Sequence, residues 1–272
     1  MTTLNAQAHM IRSGIRSLYT FLFARPRLQW LNDGIIKLAL HGKGFNNPTA
    51  LSGEAWFVAH VLAAAKPRVC MDIGANQGWY TRLLLDRTEA RVISAEPQPT
   101  VFSLLEAACR DRADRVTLLN CAVGDRSGTA TLRYGSAAAD SVLASLSDEI
   151  SAVPYVRNDN RIEVALKTID QIVIEQELDR LDFIKIDTEG FERNVLHGAA
   201  TAIRTLRPAF IQVEYNWHHL FTRDSLWTLA SLLPGYTPHM LLPQGWYKLD
   251  ARDPVANIHK LSNIVFVRSN QL

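Results

Sequence analysis

Cysteine is scarce in this sequence and poorly placed for cross-linking. The three residues, Cys70, Cys109 and Cys121, are odd in number and form no C-x-x-C pair. They argue against a disulfide framework or a thiolate zinc site, and the chain reads as reduced, intracellular and cytoplasmic. Long apolar runs are also missing: none approaches the ~18 residues that a membrane-spanning helix needs. Positive charge is not in surplus either. The balance of 29 Lys and Arg against 27 Asp and Glu leaves +2, which argues against a nucleic-acid partner, since phosphate binding requires a concentrated basic face. What is present is globular. With 47% apolar and 21% charged residues in 272, disordered and collagen-like classes are excluded, and one large domain or two small ones fit the length.

Residues 1–48 differ from the rest. They contain Arg12, Arg16, Arg25 and Arg27, with no acid before Asp33, and a short apolar block at Leu18, Tyr19, Phe21, Leu22 and Phe23. The block ends in Ala-Arg-Pro, not in a small-residue cleavage site, which fits a signal peptide poorly. Two readings stand: a helical extension packed over the following domain, or an amphipathic helix making peripheral contact with an anionic membrane.

Residues 49–272 read as the main domain. Ser52-Gly-Glu54 precedes a helical run, Ala55–Ala65, that Pro67 ends. Apolar runs at Val69–Ile73, Val92–Ala95, Val116–Leu119, Phe183–Ile186, Phe210–Val213 and Ile264–Val267 predict strands. Several are apolar throughout, as strands buried on both faces of a parallel sheet require. Helical stretches fall between them at Tyr80–Asp86, Thr100–Cys109, Phe191–Thr201 and Ser225–Leu232. The alternation predicts a doubly wound α/β sheet. Thr129–Tyr134 and Ile162–Leu166 break the rhythm and predict an inserted hairpin or edge pair, with a Ser/Ala-rich loop, 136–147, between them.

The segment Asp72-Ile-Gly74-Ala-Asn76-Gln-Gly78 joins a buried strand to a helix through a glycine turn. Such a turn lets backbone approach a ligand, and the helix start favours an anionic group. A dinucleotide fingerprint would place glycine where Asn76 stands, and Asp72 would repel a pyrophosphate; both count against an NAD-dependent oxidoreductase. An acid there suits a cationic ligand instead. S-adenosylmethionine, with its ammonium and sulfonium, is such a ligand. Glu96, at the end of the next apolar run and followed by Pro97, is placed to accept both ribose hydroxyls; Pro97 and Phe102 are candidates to flank an adenine.

These stretches, with Asn120-Cys-Ala122-Val123-Gly-Asp125, Thr168-Ile-Asp170 and Asp182-Phe-Ile-Lys185-Ile-Asp187-Thr-Glu189-Gly190-Phe-Glu192, resemble the FkbM-type S-adenosylmethionine-dependent methyltransferases. The resemblance runs from about Gly44 to Val267. It implies a Rossmann-like sheet of seven strands with the last antiparallel, at Asn263–Arg268. It further implies transfer of methyl groups to hydroxyl oxygens, often of sugars in glycans or glycolipids and sometimes of polyketide-type products. By motif position the cofactor-binding set is Asp72, Gly74, Asn76 and Gly78 toward the methionine, Glu96 and Pro97 toward the ribose and adenine, Ala122 and Val123 beside the adenine, Asp125 at its amino group, and Asp187.

Methylating a hydroxyl calls for a general base within hydrogen-bond reach. Asp187, Glu189, Glu214 and His218 are the candidate catalytic residues at the strand ends. Glu189 has an alternative role as a helix cap, and Glu192 reads as a helix-face charge. Lys185, inside an apolar strand, must pair with an acid. Trp217 and the Gln244-Gly-Trp-Tyr247 turn offer flat surfaces for a sugar ring, whereas Trp227 reads as core. Asp187, Glu214 and a histidine would make an oxygen/nitrogen metal site, but nothing in the spacing demands one, so transfer is expected to be metal-independent. An N- or C-directed methyltransferase is the alternative within the same class.

Overall fold

The computed structural model describes residues 2–135, 144–151, 153 and 158–269. The chain divides into two units, Met1–Phe45 and Asn46–Leu272. The first consists of two helices, α1 (Thr2–Phe23) and α2 (Gln29–Gly42), joined by a 3₁₀ turn at Pro26–Leu28. Tyr19 donates to Asn32 Oδ1 at 2.7 Å and ties one helix to the other.

The second unit is built on a large sheet. Its strands are β1 (Val69–Ile73), β2 (Arg91–Ala95) and β3 (Val116–Leu119). A small separate sheet holds β4 (Ala122–Val123), β5 (Gly128–Tyr134) and β6 (Asn160–Lys167). The large sheet then resumes with β7 (Phe183–Ile186), β8 (Phe210–Tyr215), β9 (Tyr236–Leu242), β10 (Gly245–Lys248) and β11 (Ser262–Arg268). The order across it is β10-β9-β11-β8-β7-β1-β2-β3. β3, β2, β1, β7 and β8 run parallel, while β11 inserts antiparallel between β8 and β9. This is the Rossmann-like arrangement expected, last strand antiparallel, with one difference. The resemblance implies seven strands, and β10, paired with β9, adds an eighth at the edge.

One face of the sheet (Cys70, Val92, Phe183, Phe210, Val265) packs on Phe57, Leu62, Tyr80, Leu84, Leu85 and Leu105 from the chain segments that cross it. Burying such side chains stabilises by roughly 1.5–3 kcal/mol each before entropy is subtracted. The three cysteines are buried and unpaired with one another. The inserted pair forms as read, β5 against β6 antiparallel, and β4 joins β6 in parallel to make a three-stranded sheet. Most of the Ser/Ala-rich loop lies outside the described residues. The helix expected over Phe191–Thr201 is two, Glu192–His197 and Ala200–Leu206, broken at Gly198. Gly198 approaches the Gly124 carbonyl so closely that a Cβ there would sit 1.9 Å from it.

Because the sheet order reverses between β1 and β7, a crevice opens at the carboxyl ends of the central strands, where open α/β sheets bind ligands.

Candidate active site

A cleft of about 780 Å³ occupies that crevice. Its floor is the turn after β1. Gly74 has φ +79, and a Cβ there would lie 1.7 Å from the Asp187 carbonyl oxygen, so only glycine lets the ends of β1 and β7 come together. Asn76 also takes a left-handed φ, +49. Its N–H donates to Glu96 Oε2 at 3.0 Å, and the Gln98 N–H donates to Glu96 Oε1 at 2.9 Å. Glu96 therefore stands at the cleft wall with a fixed orientation. Burial pushes its carboxyl up to about 7 despite the two backbone donors.

Asp72 is fully buried and beneath the cleft surface, outside its lining. Thr81 donates to Oδ2 at 2.7 Å, and Oδ1 has no hydrogen-bond partner, with Lys185 Nζ 3.8 Å away. Burial raises its pKa. Lys185 meets the expected acid: Nζ donates to Asp187 Oδ2 at 2.8 Å and lies 5.0 Å from the Tyr80 ring centroid. Burial alone would lower this ammonium, but Asp187, Asp72 and Glu54 outweigh it and keep it charged.

At the next strand ends Asp187, Glu189 and Glu214 each place a carboxylate oxygen within 4.8 Å of the others. Asn216 donates to Glu214 Oε2 at 2.7 Å and to Glu189 Oε2 at 3.3 Å. His218, fully buried, has Nδ1 2.9 Å from Glu189 Oε2. Burial raises the pKa of Glu214 well above the carboxylate range, and Asp187 and Glu189 push it further; Glu189 is raised for the same first reason. Glu189 holds a left-handed φ of +52, a strain of order 1 kcal/mol that points to a functional constraint.

The structure thus brings Gly74, Asn76, Glu96, Pro97, Ala122, Val123, Asp187, Glu189, Glu214 and His218 to one cleft. Several expected neighbours lie elsewhere. Gly78 is the αL residue before the helix Trp79–Arg87, packed on Leu105. Asp125 is outside the lining and pairs with Arg126, and Phe102 packs into the core. Trp246 and Tyr247 are strand residues, not a turn, and Trp246 packs against Phe57, Phe210 and His239, away from the cleft. Trp227 is 49% exposed, beneath Arg252, and not core.

Glu189 does not cap the following helix. Nor does Glu192, the helix's first residue; it closes the preceding turn instead, accepting from the Thr188 and Gly190 N–H groups, and it is buried against His219 Nε2 at 3.2 Å. It is therefore no surface charge. Burial would raise its pKa, but His219 and those donors hold it low. Sequence reasoning passed over Glu54, a buried cleft residue that accepts from Ser52 Oγ and Gln212 Nε2. It also passed over Asn216, which follows Glu214 by two residues, the spacing that returns a side chain to the same face of a strand.

A family model described as "Methyltransferase FkbM domain" matches residues 72–240, more than half of the chain and all of the strand ends just described. The chain belongs to the FkbM methyltransferase family. Among curated relatives of this methyltransferase, the 2-O-methyltransferase NoeI of Sinorhizobium fredii is 27% identical over 234 residues, covering 80% of this chain and 93% of NoeI. The hexuronic acid methyltransferase AglP of Haloferax volcanii is 26% identical over 168 residues, 60% of this chain and 64% of AglP. Among solved structures, an O-methyltransferase from Bacillus cereus in complex with SAH covers 94% of this chain and 97% of its own, at 12% identity and a TM-score of 0.46.

Proposed function

We propose that this FkbM methyltransferase moves the methyl group of S-adenosylmethionine to a hydroxyl of a sugar in a glycan or glycolipid. The carrying observation is the trio Asp187, Glu189 and Glu214, held with Asn216 and His218 in the same cleft as the Gly74 turn and Glu96. The name of NoeI supports transfer to oxygen, and that of AglP, a hexuronic acid methyltransferase, supports a sugar acceptor.

The cleft fits a cationic cofactor. Asp72 keeps an unbonded, buried oxygen beneath it, and Glu54 and Glu96 are held protonation-prone by burial until a positive charge arrives. Bound there, S-adenosylmethionine supplies an electrophilic methyl group on a sulfonium. The protein's own part is placement and proton transfer. The Gly74 turn lets backbone close on the ligand, and Glu96 receives ribose hydroxyls. Glu214 takes the acceptor proton. Burial and the neighbouring carboxylates raise its pKa and so its basicity; taking the proton leaves Glu214 neutral, and Asn216 ties it to Glu189. Trp217, on the cleft wall and edge-on to Phe221, offers a face for the sugar ring.

Transfer is metal-independent in this reading. Lys185 already brings positive charge to Asp187, one of the three clustered carboxylates, and His218 Nδ1 lies 2.9 Å from Glu189 Oε2. The deciding experiment is incubation with methyl-labelled S-adenosylmethionine and separated glycan, glycolipid and small-molecule fractions. Label should enter carbohydrate, and Glu214→Gln should abolish incorporation while cofactor binding persists. Label confined to nitrogen acceptors, or transfer indifferent to Glu214→Gln, would refute the assignment.

A further inference from the structure

Residues 1–48 carry Arg12, Arg16, Arg25, Arg27, Lys37 and Lys43 against a single acid, Asp33, a net of +5; since the whole chain is +2, residues 49–272 sum to −3. The charge is paired with exposed apolar surface. On α1, at 100° per residue, Phe21, Leu18, Leu22, Ile15 and Tyr19 follow one another around an arc of about 160°. Arg16, Ser13, Ser17 and Thr20 fill the opposite side, and Arg12 stands at the border. Phe21 is 72%, Ile15 64% and Leu18 60% exposed, and α2 contributes Trp30 at 73% and Leu38 at 74%. α2 buries no residue at all. Apolar surface of this extent marks an interaction site. Among the described residues no helix is long and apolar enough to cross a membrane, so the arc is suited to lie along a bilayer and not through it.

We infer that α1 docks on an anionic lipid surface, its apolar arc among the acyl chains and Arg12, Arg16 and Arg27 at the headgroups. The basic residues select this occupant. A second copy would set one +5 segment against another, whereas anionic headgroups attract it. The Tyr19–Asn32 hydrogen bond and the one that Asn32 Nδ2 donates to the Phe23 carbonyl at 3.1 Å brace the two helices where they turn, so that Trp30 follows the bound helix toward the interface.

The test is co-sedimentation of the full chain with vesicles of phosphatidylcholine containing about a third phosphatidylglycerol, against phosphatidylcholine alone. At low salt at least about tenfold more protein should bind the anionic vesicles, and the difference should shrink as salt rises. Leu18→Glu with Leu22→Glu should release the protein from both, and Arg12→Glu with Arg16→Glu from the anionic vesicles alone, each with an unchanged melting temperature. Equal binding to both vesicle types, or none to either, overturns the inference. So does a dimer in solution that Leu18→Glu dissociates, which would assign the arc to a second copy.

Discussion

The two ends of the parallel sheet treat the same residue types in opposite ways. Where the strands begin, Asp182 is saturated: Arg180 Nε donates at 2.7 Å, and the Arg68 and Val69 N–H groups at 2.7 and 3.1 Å. Arg68, Arg180, Arg207 and Arg268 line the same depression against Asp179 and Asp182, so guanidinium groups outnumber the acids there. Where the strands finish, Glu54, Asp72, Glu96, Asp187, Glu189 and Glu214 gather with Lys185 as their ammonium. A buried carboxylate without a counter-charge is expensive, and the group responds by a raised pKa. Of the two ends, only the second stores a demand for positive charge, and that imbalance marks it as the binding end.

Substitutions can break this contrast, and the largest effect is expected at the floor of the cleft. Gly74→Ala forces a Cβ into the Asp187 carbonyl and should cost about 3 kcal/mol or more with loss of cofactor binding. Gly235→Ala shares a positive φ, +84, but meets open space, so about 1–2 kcal/mol is expected; thermal melts compare the two. Next comes Glu214→Gln, with a kcat loss of about 10²–10⁴-fold and cofactor affinity retained by calorimetry. Asp182→Ala at the other end should do the reverse, lowering stability by about 1–3 kcal/mol without changing affinity for S-adenosylmethionine.

Smaller effects come with pH. Glu96 titrates near 7 when folded and near its ordinary value when unfolded, so the folded state binds the extra proton between them. Stability from this group is therefore full below about pH 4 and declines as pH rises to about 7, by up to about 3 kcal/mol. Glu96→Gln should flatten that slope in melts across pH, and bound S-adenosylmethionine should reduce it. The activity limb runs the other way: a base must be unprotonated, so kcat should rise with pH through the raised pKa of Glu214. The smallest expected effect is that of chelation. Exhaustive EDTA treatment should leave turnover unchanged, and loss restored by Mg²⁺ would reassign the three clustered carboxylates as ligands.

The legible parts of the sequence were those where local chemistry decides. A glycine turn between a buried strand and a helix, with acids at two strand ends, identifies the crevice because backbone geometry there depends on neighbours in sequence. The β9–β10 hairpin was harder. Pro238 argues against a paired strand, yet it sits opposite Phe266 just past the last β10 pairing, Lys248 with His239. Glu54 escaped for another reason. Its partner Gln212 is 158 residues away, and no spacing rule connects them. Glu192 follows Glu189 by three residues, and the sequence alone gave no sign that the second would close the turn while the first faced the cleft.

Ser145, between β5 and β6, bridges to Arg133 on β5 and donates its hydroxyl to the Glu189 carbonyl at 2.8 Å. Leu132, Ala144 and Leu146 from this same region complete the cleft wall. The Gly74 turn and Glu96 are anchored in the large sheet, whereas Ala122 and Val123 on the cleft wall belong to β4 of the small one. Exchanging β5 and the loop that carries Ala144 and Leu146 would therefore reshape one wall of the cleft while leaving the Gly74 turn and Glu96 in place, a modular route to variation on this scaffold.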